Sequence, residues 1–322
     1  MPRTADEIIS LIGRGDVERL KGQLTLEKRR TTALSGALEK AQKLWGAQYT
    51  APKPRRAPAR GGQYYTRLAV GDTHGNHISI PARDAFLGDL EILKPEEVVL
   101  LGDLLDCSGT FSRFKKQYLR EFSYSYSEDV SAANDFLDQV QRRVPSAKCY
   151  YLEGNHERRI EAWAVEQFEN VLDAKKAVDA FGPRAALHLD KRGIAYYEYS
   201  LRHMGLEAPG VIKLGKCFFA HGFGKGIHAS YNTLRKLADN IVHGHNHRSM
   251  SSILRQVDST SGAWCPGCLC DIQPYYFHSD PTDHTNGYHV QFVNRKTGWF
   301  APWNVSVLDG VSVLPRIKEV LG

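Results

Sequence analysis

The chain has 322 residues, 42% hydrophobic and 24% charged, the composition of a folded globular protein rather than a disordered or fibrous one. It holds no run near the roughly 18 apolar residues of a spanning helix, and its opening Met-Pro-Arg-Thr-Ala-Asp-Glu lacks the apolar core of a secretory signal, so a cytosolic location and no membrane partner are expected. The formal charge of +6 sits at one end: residues 1–62 carry 13 Lys and Arg against 6 Asp and Glu, and the remaining 29 and 30 leave −1, so a charge-based case for nucleic acid concerns that end alone.

In chain order, residues 17–45 come first. Leu20, Leu24, Thr31, Leu34, Leu38, Ala41 and Trp45 recur at three- and four-residue steps, broken by Glu27, on a basic background, which predicts a helix with one apolar stripe. Such a helix packs on a main domain, pairs with a second copy, or docks a partner. Residues 51–62, with three prolines and two glycines, form a linker or arm whose Lys53, Arg55, Arg56 and Arg60 can meet phosphates. Three regions follow from this: a helical extension over 1–50, a Pro/Arg-rich linker over 51–62, and a catalytic domain over 63–322.

Within that domain strand and helix patterns alternate. Strands are predicted at 67–71, 97–102 and 148–153, with helices at 81–93, 128–143, 158–168 and 171–181. Short strands follow at 194–200, 217–220 and 240–243, and the tail from Tyr275 is strand-rich. Alternation first and strands last predicts an α/β fold, a four-layer α/β/β/α sandwich of two mixed sheets flanked by helices.

Short polar motifs follow these strands directly: Asp72-Thr-His74, Gly102-Asp103-Leu-Leu-Asp106, Gly154-Asn155-His156-Glu157, His221-Gly222 and Gly244-His245-Asn-His247. Aspartate, asparagine and neutral imidazole, delivered together at strand ends, are what a pair of divalent metals needs, and this mixture suits Mn, Fe or Zn better than Ca. Two metals neutralise a phosphate ester, acidify a bound water and steady the leaving oxygen. Glycines at 71, 102, 154 and 244 are expected to let the backbone turn between strand and ligand.

These five blocks, in this order over residues 66–248, resemble the calcineurin-like metallophosphoesterase superfamily. The resemblance implies a dinuclear centre, Mn foremost with Fe, Zn or Mg as alternatives. One metal would be held by Asp72, His74, Asp103 and His247, and the second by Asp103, Asn155, His221 and His245. His156 would act as general acid, and a metal-bridging hydroxide would attack in line. Asp106 and Glu157 would orient the ligands from behind.

The superfamily spans protein phosphatases, nucleases and small phosphodiesterases. Protein phosphatases carry Asp-Arg-Gly after the second motif and an arginine before the third; this chain has Asp106-Cys107-Ser108 and Glu153 there. Asp-Thr-His with Gly-Asp-Leu-Leu-Asp is more similar to the exonuclease branch and to phosphoesterases of bacteria and phages, although Glu157 stands where that branch commonly has Asp. A phosphodiesterase acting on DNA or RNA is therefore expected, with a phosphomonoesterase as the alternative and a non-catalytic scaffold working through the N-terminal helix as a third reading. Arg113, Lys115 and Lys116, interleaved with aromatics, and Arg158 are candidate substrate contacts. Cys265, Cys268 and Cys270, with His278 or His284, form a candidate structural zinc site, although one Cys-x-x-Cys pair is a weaker signal than two.

Overall fold

The computed structural model describes residues 61–111, 124–198, 210–273 and 281–312, together with Leu314 and scattered positions between 18 and 52. Of the stretch 17–45, the described Glu18, Arg19, Lys21–Thr25, Lys28, Arg29, Thr32 and Gly36 are helical and exposed. The basic segment 113–120 and most of the linker lie outside the described residues. No described helix is long and apolar enough to cross a membrane.

The strands are β1 (Tyr64–Val70), β2 (Glu97–Leu100), β3 (Lys148–Leu152), β4 (Ala195–Tyr197), β5 (Val211–Leu214), β6 (Cys217–Ala220), β7 (Ile241–His243), β8 (Ser249–Arg255), β9 (Thr260–Pro266), β10 (Gly287–Asn294), β11 (Phe300–Leu308) and β12 (Val311–Ser312). Among the described residues they form a seven-stranded sheet, β12-β11-β10-β1-β2-β3-β4, and a five-stranded sheet, β5-β6-β7-β9-β8. Both are mixed. β1 to β4 run parallel and the tail strands β10 to β12 extend that sheet antiparallel; β6, β7 and β9 run parallel between antiparallel edges.

Among the described residues of 61–312 five longer helices accompany them: α1 (Ile80–Leu93), α2 (Tyr126–Arg143), α3 (Arg158–Gln167), α4 (Val171–Phe181) and α5 (Ala229–Leu237). Pro81 opens α1 in its first turn, where its missing N–H costs nothing, and Lys94 ends it in the left-handed region. α2 starts where the Ser125 side chain accepts from the Glu128 N–H, and it carries acids in its first turn and Arg142 and Arg143 in its last, as the helix dipole favours.

Side-chain alternation along the strands builds the layers. Leu68 and Val70 of β1 and Val98 and Leu100 of β2 point one way, against Phe86, Leu87 and Leu90 of α1 and Phe136 and Leu137 of α2. Their neighbours Ala69, Val99 and Leu101 point the other way, meeting Ile212, Phe219, Val242 and Trp264 between the sheets. A third cluster, with Val211, Ala220, Ile241 and Ala263, lies beneath Leu234 of α5. The result is helices, sheet, sheet, helix. Each fully buried Leu, Val or Phe contributes about 1.5–3 kcal/mol.

One charge crosses this interior. Arg67, 1% exposed, donates to Glu97 and Gln291 of its own layer and to the Leu214 carbonyl of the other sheet, so one guanidinium ties both sheets together. Because β1, β2 and β3 run parallel, as do β6 and β7, the loops that leave their C-terminal ends gather on one edge of the sandwich.

Candidate metal centre

The motif residues occupy those loops, and the backbone there is unusual. Asp72, His74, Asp103, His245 and His247 all have left-handed φ, between 49° and 70°. That region costs an L-residue roughly 1–2 kcal/mol, and Asp, Asn and His tolerate it best. Backbone bonds hold it in place: Asp72 N–H donates to the Gly102 carbonyl and His74 N–H to the Asp103 carbonyl, both at 3.0 Å, zipping the first two loops together beyond their strands. The turning expected of the glycines is thus done largely by the polar residues. Of the four, only Gly102 is left-handed, and the others are needed for close approach. A Cβ on Gly154 would lie 2.0 Å from Asp103 Oδ1, and one on Gly244 2.5 Å from Asp72 Oδ2.

The side chains converge in two groups. In the first, His74 Nε2 and His247 Nε2 are 3.1 Å apart, and His247 Nε2 is 3.3 Å from Asp72 Oδ1. In the second, His221 Nε2 is 3.0 Å from Asn155 Oδ1, 3.2 Å from His245 Nδ1 and 3.2 Å from Asp103 Oδ2. Asp103 offers its carboxylate to both sides, within 4.8 Å of His74 and His156 and of His221 and His245.

Hydrogen bonds at the far ring nitrogens orient the rings. His74 Nδ1 lies 3.1 Å from Asp106 Oδ1 and His221 Nδ1 2.8 Å from the Leu101 carbonyl, so each keeps an N–H outward and turns Nε2 to the centre. His74 Nε2 and His247 Nε2, 3.1 Å apart with Asp72 Oδ1 beside them, are a donor set that would hold a divalent cation once His247 gives up its proton. Nitrogen and oxygen donors of this kind suit Mn, Fe or Zn.

Electrostatics follow the same split. Burial pushes His221 and His247 toward neutrality, but the Asp103 carboxylate outweighs it and raises His221 to about 10, and Asp72 likewise raises His247 to about 9. Burial, helped by a neighbouring imidazole, lowers His74 and His245 to about 4. Burial would raise Asp72 and Asp103; their histidine neighbours win and hold both below the usual carboxylate range. Each half therefore pairs one basic imidazole with one neutral one.

Two carboxylates behind the centre brace it. Glu157, fully buried, accepts from the N–H groups of Asp103, Leu105 and Gly154 at 3.0 Å each and from the Tyr151 hydroxyl at 2.6 Å. Asp106 faces His74 and also His156, whose Nδ1 lies 2.7 Å from the Asp106 carbonyl and 3.2 Å from its Oδ1. A third carboxylate, Asp129 on α2, accepts from the N–H groups of Asp106 and Cys107 and from the Tyr124 hydroxyl. Sequence reasoning passed over Asp129, because it sits in an ordinary first helical turn and only the fold brings it to the loop.

The remaining candidates fall as follows. Arg158 is exposed at the start of α3, whereas its neighbour Arg159 reaches the centre: Nη1 donates to the Asp106 carbonyl at 3.0 Å and Nη2 lies 2.8 Å from His156 Nε2. Arg113, Lys115, Lys116 and His278 lie outside the described residues. Cys265, Cys268 and Cys270 are all buried, but they do not gather into one donor group among the described residues. Cys265 Sγ lies 3.7 Å from the Gly244 carbonyl, Cys268 Sγ 3.5 Å from the Thr285 carbonyl, and Cys270 Sγ 3.7 Å from His247 Nδ1. The third thiol thus belongs with the histidines of the centre, grouping with His74 and His247, and the His284 ring packs 4.6 Å from His247. His243, just outside the last motif, is fully buried and bonded to Ser230.

Comparison with known proteins adds an independent line. A family model described as calcineurin-like phosphoesterase matches residues 65–263. No curated protein sequence matches the chain. Solved structures similar in fold include a single-mutant Vps29 from Entamoeba histolytica (15% identity, 77% of this chain and 95% of that one, TM-score 0.37) and Vacuolar Protein Sorting 29 from Cryptosporidium parvum (11%, 78% and 95%, 0.39). The phosphoesterase YfcE from E. coli is also similar (16%, 74% and 98%, 0.31).

Proposed function

Because the chain belongs to the calcineurin-like phosphoesterase family, we propose that it hydrolyses phosphodiester bonds at a centre of two divalent metal ions, Mn foremost, with nucleic acid as the substrate class. The observation that carries this reading is the Asp103 carboxylate, which groups with His74 and His156 on one side and with His221 and His245 on the other, so that one residue would serve two ions. Asp72, His74 and His247 would hold one ion with it, and Asn155, His221 and His245 the other. When bound, the ions supply neutralisation of the phosphate and acidification of the attacking water.

The chain's own groups do the rest. His156 hangs from the Asp106 carbonyl by Nδ1, which turns Nε2 toward the centre, 3.9 Å from Asp103 Oδ2; from there it holds the proton a leaving oxygen needs. Asp106 orients both His74 and His156, and Glu157 fixes the loop that carries Asp103.

Charge supports a diester: the buried carboxylates of Asp72, Asp103, Asp106 and Glu157 stand against Arg159, the one guanidinium the described structure brings to His156, so that two divalent ions would be needed to offset the acid and no second arginine is described there for a phosphomonoester dianion. Where protein phosphatases add arginines, this chain has Cys107, buried, and Glu153, which accepts from the Tyr196 hydroxyl. A polymer would be guided by Lys53, Arg55, Arg56 and Arg60 of the linker.

The test is Mn-dependent cleavage of end-labelled DNA and RNA beside bis-p-nitrophenyl and mono-p-nitrophenyl phosphate, with Asp103→Asn as blank. Polymer cleavage that vanishes in the blank supports the reading. Turnover of the monoester alone would overturn the diester assignment, and equal rates for wild type and blank would overturn the centre itself.

A further inference from the structure

Arg159 is the one guanidinium that the described structure brings into bonding distance of His156, and its partners are unusual for an arginine. Nη1 donates to the Asp106 carbonyl oxygen, the same oxygen that takes His156 Nδ1, at 3.0 and 2.7 Å. One carbonyl therefore carries both side chains on its two lone pairs and fixes them against each other. Nη2 lies 2.8 Å from His156 Nε2, the nitrogen that faces the centre. Neither bond is to a carboxylate, so neither neutralises the half-buried cation.

We propose that Arg159 is the phosphate-gripping residue of this site: Nη2 leaves His156 Nε2 for a non-bridging oxygen of the phosphoryl group, while Nη1 stays on the Asp106 carbonyl. A guanidinium suits this because its fork is planar and rigid: one arm can anchor while the other, about 2.3 Å away, meets the ligand. The exchange also frees His156 Nε2, which in the absence of substrate accepts from Nη2, to take up a proton from solvent and present it as Nε2–H to the leaving oxygen. No bond to Arg159 is made or broken beyond hydrogen bonds, and its proton stays on it throughout. The ligand class is a tetrahedral oxyanion carrying at least one non-bridging oxygen that the ions do not use. A dianionic terminal phosphate should depend on this grip more than a diester monoanion, because it brings more charge to the same donor.

This inference rests on the phosphoesterase reading, so its test separates the two. The Mn-loaded full chain is compared as wild type, Arg159→Gln, Arg159→Lys and Asp103→Asn. Two readouts are taken: binding of inorganic phosphate by calorimetry, and kcat and KM for the mono- and bis-p-nitrophenyl esters. Arg159→Gln should weaken phosphate binding roughly 10- to 100-fold, the range of a charge-assisted bond. It should lower kcat/KM for the monoester more than for the diester, with Mn uptake unchanged. Arg159→Lys keeps the charge but cannot span both partners, and should fall between. Free guanidinium should restore part of the Gln variant's turnover. Phosphate binding and KM unchanged in both variants would overturn the proposal, and so would a loss of Mn uptake in step with activity, which marks a prop for the Asp106 loop. Failure of the underlying reading looks different: wild type would then turn over no faster than Asp103→Asn, whatever Arg159 does to phosphate binding.

Discussion

The two halves of the centre share Asp103 yet are supported differently. On the Asp72 side, the outward nitrogens of the imidazoles meet side chains: His74 Nδ1 faces the Asp106 carboxylate and His247 Nδ1 the Cys270 thiol. On the Asn155 side, His221 Nδ1 meets only the Leu101 carbonyl, a backbone group of the strand end itself. A carboxylate behind a ligating histidine makes it a stronger donor, and a carbonyl orients it without adding charge. The first half is thus adjustable by mutation of its supports, while the second is built into the fold. If this contrast governs metal binding, the first half should respond to substitutions behind it and the second should not.

The largest effect should come from the residue that joins them. Asp103→Asn keeps the shape but removes the charge that both groups use, and several kcal/mol of lost charge stabilisation corresponds to about a thousandfold or more in turnover. Mn stoichiometry by calorimetry should fall in both halves at once. If only one site were lost, the carboxylate would not be shared.

Next comes Asp106→Asn. Removing this support should weaken metal binding about 10- to 100-fold, and only in the first half, seen as one displaced step of a two-step isotherm. An equal shift in both steps would break the contrast.

Protons should expose the likeness between the halves rather than the difference. His247 is raised to about 9 and His221 to about 10, so below those values each binds a proton that a metal must displace. Apparent metal affinity should therefore rise with pH, about tenfold per unit per half near neutrality, and calorimetry in buffers of different ionisation enthalpy should count one proton released per metal. Linkage gives the metal-free protein the opposite trend from these two groups. A raised histidine stabilises the fold fully below its unfolded value of about 6.5, and that contribution is lost as pH rises through 9 to 10.

The difference in legibility between ligands and supports has a physical origin. Asp72, His74, Asp103 and the other candidate ligands stand just after strands, and their order along the chain is the order in which the strands deliver them; strand patterns placed the motifs, and the family resemblance named the residues as candidate ligands. The α4 span 171–181 and strand β6 were also readable, being continuous apolar or amphipathic runs. Asp129, Arg159 and Cys270 act across the fold, and nothing adjacent in sequence marks them. Asp129 sits in a helical first turn where any acid is favoured, and Arg159 was indistinguishable from Arg158 until α3 set one outward and one against His156. β8 carries no clear alternation for a related reason: Ser249-Met-Ser-Ser-Ile-Leu-Arg255 is an edge strand whose exposed positions, Ser251, Ile253 and Arg255, mix polar with apolar, and its identity lies in its seven-residue pairing with β9. Gly102 turns the chain as expected, whereas Gly71, Gly154 and Gly244 serve close approach, which depends on where another loop lies, as with Gly154 against Asp103.

Cys270→Ser should give the smallest effect, and it tests the contrast most finely. The thiol is a weak acceptor for the His247 Nδ1 proton at 3.7 Å, and the Cys268 thiol beside it, together with burial, holds its pKa well above the usual range, so it contributes no charge. Serine retains a hydroxyl of similar shape but shorter reach, so His247 keeps its tautomer with a looser hold. First-half affinity should fall by less than about tenfold, clearly below the Asp106→Asn loss, because a neutral partner lends its histidine less basicity than a carboxylate. The second step of the isotherm should not move. Equal losses from Cys270→Ser and Asp106→Asn would mean that ring orientation, which both supports provide, matters more than the charge behind the ring. The Leu101 carbonyl would then serve the second half as well as a carboxylate would, and the two halves would differ in construction without differing in strength.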